Sequence, residues 1–322
     1  MAKTHKSMSN PPEAKVRNEA VDKPVIPYFL LVLACIFWAG NVVAGRALSM
    51  AGPDQISPAV LNALRWGIAL VALAPFVLPR LRAQAPVLRA HAVKLLALGT
   101  LGIAGYYLLF YLAVETVPAI EAGLLVGAMP AIIMGLTLAL KSERPSSIRL
   151  VGLSAALVGS LATVAAHEAT RGAANHHFGD FLMIAAVLCW SVYTILLQRW
   201  KIPISTLVLT FSTASVGLLV TLLAVACECM AQIATLHLTE KSVLLTVYIG
   251  LFPAIGSTLC WNEAVRRLGA GTPGVFLTLI PVFSTGLAAA LLGERIDALD
   301  ILCLALVVGG VALVVRNPAR PG

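Results

Sequence analysis

Seven residues could do chemistry: Trp38, Asn41, Arg65, Tyr106, Trp190, Tyr193 and Ser257. All are polar or amphipathic, and all are set in long apolar runs. Such groups are costly there unless each finds a partner. Together they offer ring faces, an amide, hydroxyls and one permanent cation. Rings can stack on a solute, an amide or hydroxyl can orient it, and a guanidinium can meet a carboxylate. This is chemistry for holding a small molecule. Chemistry for breaking bonds is missing: there is no H-E-x-x-H, G-x-S-x-G, Walker loop or pair of intramembrane aspartates. The six cysteines, Cys35, Cys189, Cys227, Cys229, Cys260 and Cys303, show no metal-ligand spacing, and most sit in apolar runs as small buried hydrophobes. No metal, cofactor or enzymatic activity is expected.

The composition explains what must position these groups. Of 322 residues, 59% are hydrophobic and only 12% charged, against about 25% charged in an average soluble domain. Mean hydropathy is +0.90. A disordered chain, a collagen, a disulfide-stapled domain and an ordinary soluble globule are all excluded. An all-α integral membrane protein remains. Crossing ~30 Å of hydrocarbon takes about 20 apolar residues per helix. Ten stretches qualify, at approximately 27–49, 57–78, 92–113, 118–140, 147–167, 179–198, 203–226, 242–264, 271–292 and 298–315. Residues 1–26 read as a disordered cytoplasmic tail, 168–178 as a periplasmic loop and 316–322 as a second cytoplasmic tail. The first apolar stretch starts late and is long enough to span, so it reads as an uncleaved helix.

The net charge of +8 reads as topology and not as a nucleic-acid footprint. With the N-terminus inside, 18 of the 23 Lys and Arg fall on inner segments and three (Arg171, Lys241, Arg295) on outer loops. Arg46 and Arg65 lie within spans. That asymmetry places both termini in the cytoplasm.

The chain also repeats itself. A shift of 151 residues brings Gly123 onto Gly274, Pro130 onto Pro281, Gly135 onto Gly286 and Glu143-Arg144 onto Glu294-Arg295, with 13 identities over positions 113–164. Chance in so biased a composition gives about five. One residue out of phase, Trp38 meets Trp190. Five spans per half is an odd number, so the second half must enter from the opposite side. The expected fold is ten helices in two five-helix inverted repeats, 27–167 and 179–315, around a central cavity, an arrangement many carriers use for alternating access.

Depth along the spans places Trp38, Asn41, Trp66, Tyr106, Trp190, Tyr193, the Ser212–Ser215 run and Ser257 near the midplane. Each has two readings. Trp38 and Trp190 line a cavity or pack between helices. Asn41 binds substrate or bonds a neighbouring helix. Arg65 faces a polar cavity, as a carboxylate partner or as an anchor for loop carbonyls; Arg46, near the outer end, is expected to snorkel. Tyr111 and Trp200 are expected in the interfacial belts. Glu263 is expected to pair with Arg266 or Arg267 along its helix. Pro130 and Pro281 mark either hinges that let the halves rock or points of close packing. No acidic residue lies at mid-depth of the predicted spans, which favours a facilitator, an exchanger or a carrier driven by the substrate gradient.

The run Trp38-Ala39-Gly40-Asn41-Val42-Val43-Ala44-Gly45-Arg46 resembles the first-helix motif of EamA-type members of the drug/metabolite transporter superfamily. Arg65 matches an arginine of the second helix. Pro130 with Glu143-Arg144 and Pro281 with Glu294-Arg295 are similar to the Pro and Glu that close the fourth and ninth helices. Gly179-Asp180 leading to Trp190 and Tyr193 is similar to the start of the second unit. Ala39 and Ser142 stand where the family usually has glycine. The resemblance covers about residues 28–316. It implies a multi-pass protein of the bacterial inner membrane, a monomer or homodimer, that exports small metabolites, amino acids foremost, by alternating access. A sugar-phosphate or nucleotide-sugar carrier, a drug exporter, a channel or a membrane-embedded enzyme are the alternatives. Its partners would be a small-molecule substrate and the lipid bilayer, with no nucleic acid.

Overall fold

A computed structural model describes residues 25–50, 55–139, 146–148, 150–152, 154–159, 162, 176–268 and 276–316. Most of both predicted tails, most of the predicted loop at 168–178 and the Glu143-Arg144 pair lie outside the described residues.

The described chain is helical, and one isolated antiparallel bridge joins Ile56 and Leu236. Six helices are long and apolar enough to cross a membrane: Ile26–Ser49, Pro58–Ala90, Ala92–Ala113, Phe178–Trp200, Thr206–Met230 and Glu240–Ala264. Four shorter apolar helices are Ala119–Ile133, Leu150–Gly159, Leu279–Leu292 and Ala298–Gly310. The six long helices fall on six of the predicted spans, and the four shorter ones, over their described residues, lie within the other four without the length to cross a membrane; three boundaries differ. Helix α2 (Pro58–Ala90) runs 33 residues, well past the predicted end near 78. It opens on a proline at its first position, where no hydrogen bond is lost. Pro75, Pro79 and Pro86 lie inside it without ending it. The predicted span at 118–140 is divided at Ala128 into α5 (Ala119–Gly127) and α6 (Met129–Ala139). The predicted loop before residue 179 gives way to helix at His176, where α7 (His176–Trp200) begins.

Helix α1 covers Val25–Ser49. The next span is built of α3 (Ala92–Leu98), a π-helical stretch (Gly99–Gly105) and α4 (Tyr106–Ala113). In the second half α8 is Thr206–Met230, and the following span is α9 (Glu240–Ile249), a second π-helical stretch (Gly250–Ser257) and α10 (Thr258–Leu268). Helices α11 (Leu279–Leu292) and α12 (Ala298–Arg316) complete the described chain. The two π stretches open at Gly99 and Gly250, separated by the same 151 residues that align the sequence. Their surroundings match as well. A Cβ on Gly99 would meet the Thr213 carbonyl oxygen at 2.6 Å and Val216, both from α8. A Cβ on Gly250 would meet Ile68 at 2.9 Å and the Arg65 carbonyl oxygen at 3.1 Å, both from α2. By this correspondence Arg65 stands opposite Thr213, and Ile68 opposite Val216. Only glycine allows backbones this close, and interhelical contact in a bilayer relies on such approach.

The outer ends, as the charge pattern orients them, are joined by carboxylates. Glu294, just after α11, accepts the Ala119 and Ile120 backbone N–H groups, both at 3.0 Å. These are orphan donors at the start of α5. Glu228, in the last turn of α8, accepts the Ser57 hydroxyl at 2.6 Å and the Ala59 N–H at 3.1 Å at the start of α2. The Ser57 N–H donates to the Thr235 carbonyl. Arg46 donates to the carbonyls of Val114 (2.9 Å) and Glu115 (3.0 Å), which end α4. Arg46, expected to snorkel, is held by carbonyls left open by the helix end. The role of anchoring loop carbonyls falls to Arg46 and not to Arg65.

Candidate functional site

The rings sit where the two halves meet. Trp38 of α1 lies edge-on to Trp190 of α7, with centroids 5.6 Å apart, and to Trp261 of α10, at 5.4 Å. Trp190 also touches Tyr106 (5.0 Å) and Tyr193 (5.1 Å). Tyr106 packs on Tyr107 at 4.6 Å. Each such pair adds about 0.5–1.5 kcal/mol beyond its buried area. Both α1 and α7 present these rings inward because their other faces are exposed and aliphatic, as at Ile36 and Leu188.

A narrow cavity of about 10 Å³, room for roughly one water molecule, threads between these rings. Trp38, Asn41, Tyr106, Tyr107 and Trp190 form its polar and aromatic walls. Val42, Val126, Met129, Leu277 and Ile280 form the aliphatic ones. The Trp38 indole N–H and the Tyr107 hydroxyl have no hydrogen-bond partner among the described residues, although both are buried. Unpaired donors beside a cavity are where a solute or water would bind.

Behind Asn41 and Tyr107 lies Arg65, 0% exposed. Its guanidinium carbon is 3.6 Å from the Tyr107 ring centroid and 5.1 Å from that of Trp66. Nη1 donates to the Tyr111 hydroxyl at 3.0 Å and to Asn41 Oδ1 at 3.3 Å. Tyr111 in turn donates to Asn41 Oδ1 at 2.8 Å. Nε and Nη2 have no partner among the described residues. Tyr111 is therefore not an interfacial belt residue. It is buried because α4 packs inside the bundle between α2 and α7.

The other expected positions divide. Trp38, Asn41, Tyr106 and Trp190 meet at the cavity. Tyr193 supports it from behind Trp190, its ring filling space beside Gly102, where a Cβ would fall 2.5 Å away. Ser257 is buried and hydrogen-bonds back to the Phe252 carbonyl at 3.4 Å; it is not part of the cavity wall. The hydroxyls of Thr213 and Ser215 are likewise returned to their own helix. Pro130 and Pro281 are buried, each within the first turn of a helix, α6 and α11. A Cβ on Gly127 would meet Pro281 at 2.7 Å, and one on Gly123 would meet Ser284 at 2.0 Å, so α5 and α11 are closely packed there. Glu263 pairs with Arg267 at 2.6 Å, as its spacing predicts.

Sequence reasoning missed Trp261, Tyr107 as a cavity wall, and the aliphatic side of the cavity. A signal for Trp261 existed: the 151-residue shift sets it on Phe110. It also missed that three carboxyls among the described residues are buried, that of Asp300 in the first turn of α12 and two others. Glu121 lies in the first turn of α5 and Asp180 near the start of α7. Neither lines the cavity. Among the described residues no group of three metal-ligating side chains occurs.

The transporter YyaM of Bacillus subtilis is 23% identical over 269 residues, covering 79% of this chain and 83% of that protein. The transporter YetK of the same organism is 23% identical over 305 residues, covering 94% and 90%. The aromatic amino acid exporter YddG of Ancylobacter novellus is 27% identical over 214 residues, covering 66% and 72%. A solved crystal structure superposes with a TM-score of 0.64 at 23% identity, covering 90% of this chain and 96% of that one, which establishes the fold. The sequence pattern of the EamA-like transporter family matches twice, at residues 25–165 and 177–316. The chain is a membrane protein and belongs to the EamA-like transporter family.

Proposed function

We propose that this chain exports amino acids across the bacterial inner membrane by alternating access. The central aromatic cavity would be the substrate site and both termini would be cytoplasmic. One observation carries the reading: Trp38 and Asn41 from the first half and Trp190 from the second meet around one cavity, beside the Trp38 indole N–H and the Tyr107 hydroxyl, which have no hydrogen-bond partner among the described residues. A carrier needs its site where the halves move against each other. The two family matches, the two π stretches related by 151 residues and the charge asymmetry support a ten-helix inverted repeat. The printed name of the YddG relative supports aromatic amino acids as the class. Carboxylate latches at the outer ends and close packing of α5 on α11 suit halves that separate and re-dock. Pro130 and Pro281 would sit at the pivots.

The test is transport by the purified protein in liposomes, with labelled phenylalanine, leucine, threonine and lysine offered separately. Saturable movement of at least one label, competed by its unlabelled form, supports an amino-acid carrier. Movement linear in concentration would indicate a channel and contradict the reading. Movement of sugar phosphates or nucleotide sugars alone would contradict the substrate class.

A further inference from the structure

We infer that the Nε/Nη2 edge of Arg65 is a carboxylate subsite, and that the solutes it accepts are aromatic monocarboxylates with or without an amine. This rests on the central cavity being the substrate site, and it goes further by separating the two charges of an amino acid.

A guanidinium offers two forks, and its Nε and Nη2 hydrogens point in parallel along one edge. That edge matches the two oxygens of a carboxylate. In this protein the Nη1 side is occupied by neutral groups, Tyr111 and Asn41, which hold the guanidinium in place. Those three groups satisfy one another, since Tyr111 accepts from Arg65 and donates to Asn41. The Nε/Nη2 edge has no hydrogen-bond partner among the described residues, on a side chain that is 0% exposed. A buried cation whose described partners are all neutral is costly, and an incoming anion relieves that cost.

The site is one layer from the cavity. Asn41 and Tyr107 both line the cavity and both touch the guanidinium, Asn41 by hydrogen bond and Tyr107 by its ring face. The Tyr107 hydroxyl also has no geometric hydrogen-bond partner among the described residues, and it lies on the ring over the cation. A carboxylate drawn to Arg65 leaves the rest of the solute against Trp38 and Trp190.

Nothing comparable awaits an ammonium. Among the described residues the cavity walls carry no acidic side chain. Asp180 is ten residues from Trp190 on α7, about 15 Å along the axis. Glu121 lies in the first turn of α5, five residues before Val126, the part of that helix that reaches the cavity. The second half does not supply a matching charge either. Thr213, opposite Arg65 in the repeat, spends its hydroxyl on the carbonyls of Leu209 and Thr210. The site is one-signed and one-sided.

The experiment is calorimetric titration of the purified protein with four probes that share a phenyl ring. These are phenylalanine, 3-phenylpropionate (no amine), phenethylamine (no carboxylate) and phenylalanine amide (carboxylate neutralised). We expect phenylalanine and 3-phenylpropionate to bind with similar affinity and the other two at least about tenfold more weakly, as loss of a bidentate charged pair implies. Arg65→Lys, which keeps the charge and loses the fork, should weaken both carboxylates by about tenfold and leave phenethylamine unchanged. If that variant does not fold, the four probes on the unaltered protein still decide. Amide binding as tight as phenylalanine overturns the inference while leaving amino-acid transport standing. Binding of 3-phenylpropionate without phenylalanine supports the inference and overturns the amino-acid reading. No binding of any probe to protein with an intact melting transition overturns both.

Discussion

The Glu294 carboxylate accepts the Ala119 backbone N–H at 3.0 Å across 175 residues of sequence. Its other oxygen takes the Ile120 N–H, so one side chain from the second half satisfies two orphan donors at the start of a helix in the first. The negative charge also lies at the positive end of α5. Glu294→Ala should cost about 1–2 kcal/mol, the usual cost of removing a helix cap. Glu294→Gln, which keeps one acceptor and loses the charge, should cost less. Thermal melts of the three proteins in one detergent check the order; equal melting temperatures would show that the contact carries no stability.

Two glycine-to-alanine changes, one at the start of a π stretch and one on α2, should have opposite outcomes. At Gly99 the new methyl would meet a backbone oxygen, that of Thr213, at 2.6 Å, and no rotamer change relieves it. Gly99→Ala should destabilise by about 1–3 kcal/mol, the range for overpacking. Gly67 on α2 has nothing within 4 Å of its ideal Cβ. Gly67→Ala should be neutral or stabilising by up to about 1 kcal/mol, through helix propensity. Melting temperatures of the pair check the contrast.

Glu115, just after α4, predicts a pH dependence of stability. Desolvation holds its carboxyl above the ordinary range; the hydrogen bond from Gln55 (2.6 Å) offsets part of this, and the charge of Glu228 adds to it. A raised folded-state pKa means the folded protein binds this proton more tightly than the unfolded chain. The group therefore favours the fold as pH falls through the raised value and opposes it above that value. Glu115→Gln should melt at or above the temperature of the unaltered protein at pH 7, and the difference should shrink toward pH 5. A difference that grows on acidification would contradict this origin.

Glu121 and Asp180 are buried carboxyls within helices α5 and α7, and neither lines the cavity. Transport at a fixed substrate gradient should change by less than about twofold when a pH gradient is imposed, since intramembrane proton relays need a carboxylate or histidine on the path. Strong dependence on the pH gradient, lost in Glu121→Gln or Asp180→Asn, would assign proton coupling to those residues instead.

Asn41 and Arg65 were legible in the sequence because a polar group in an apolar run has few explanations. Trp38 and Trp190 were legible because tryptophans away from span ends break the belt pattern. Tyr111 was misplaced because counting residues from a span end gives depth but not which face of the helix is inward. Ser257 was misplaced for a related reason: a hydroxyl can return its hydrogen bond to its own helix, and sequence does not reveal that choice. The π stretches leave no mark in hydrophobic periodicity, though Gly99, Gly102 and Gly105 record the close approaches made there. Glu294 was visible as part of a motif, yet its partner at Ala119 lies in the other half, where only the fold joins them.

Counterflow in proteoliposomes tests the central claim most directly. Vesicles preloaded with unlabelled phenylalanine would receive a trace of labelled phenylalanine outside. A carrier working through the central cavity predicts transient accumulation of label above equilibrium, abolished in Trp190→Ala, whose ring contacts Trp38, Tyr106 and Tyr193. Equilibration without overshoot, or an overshoot unchanged in a well-folded Trp190→Ala protein, would contradict it.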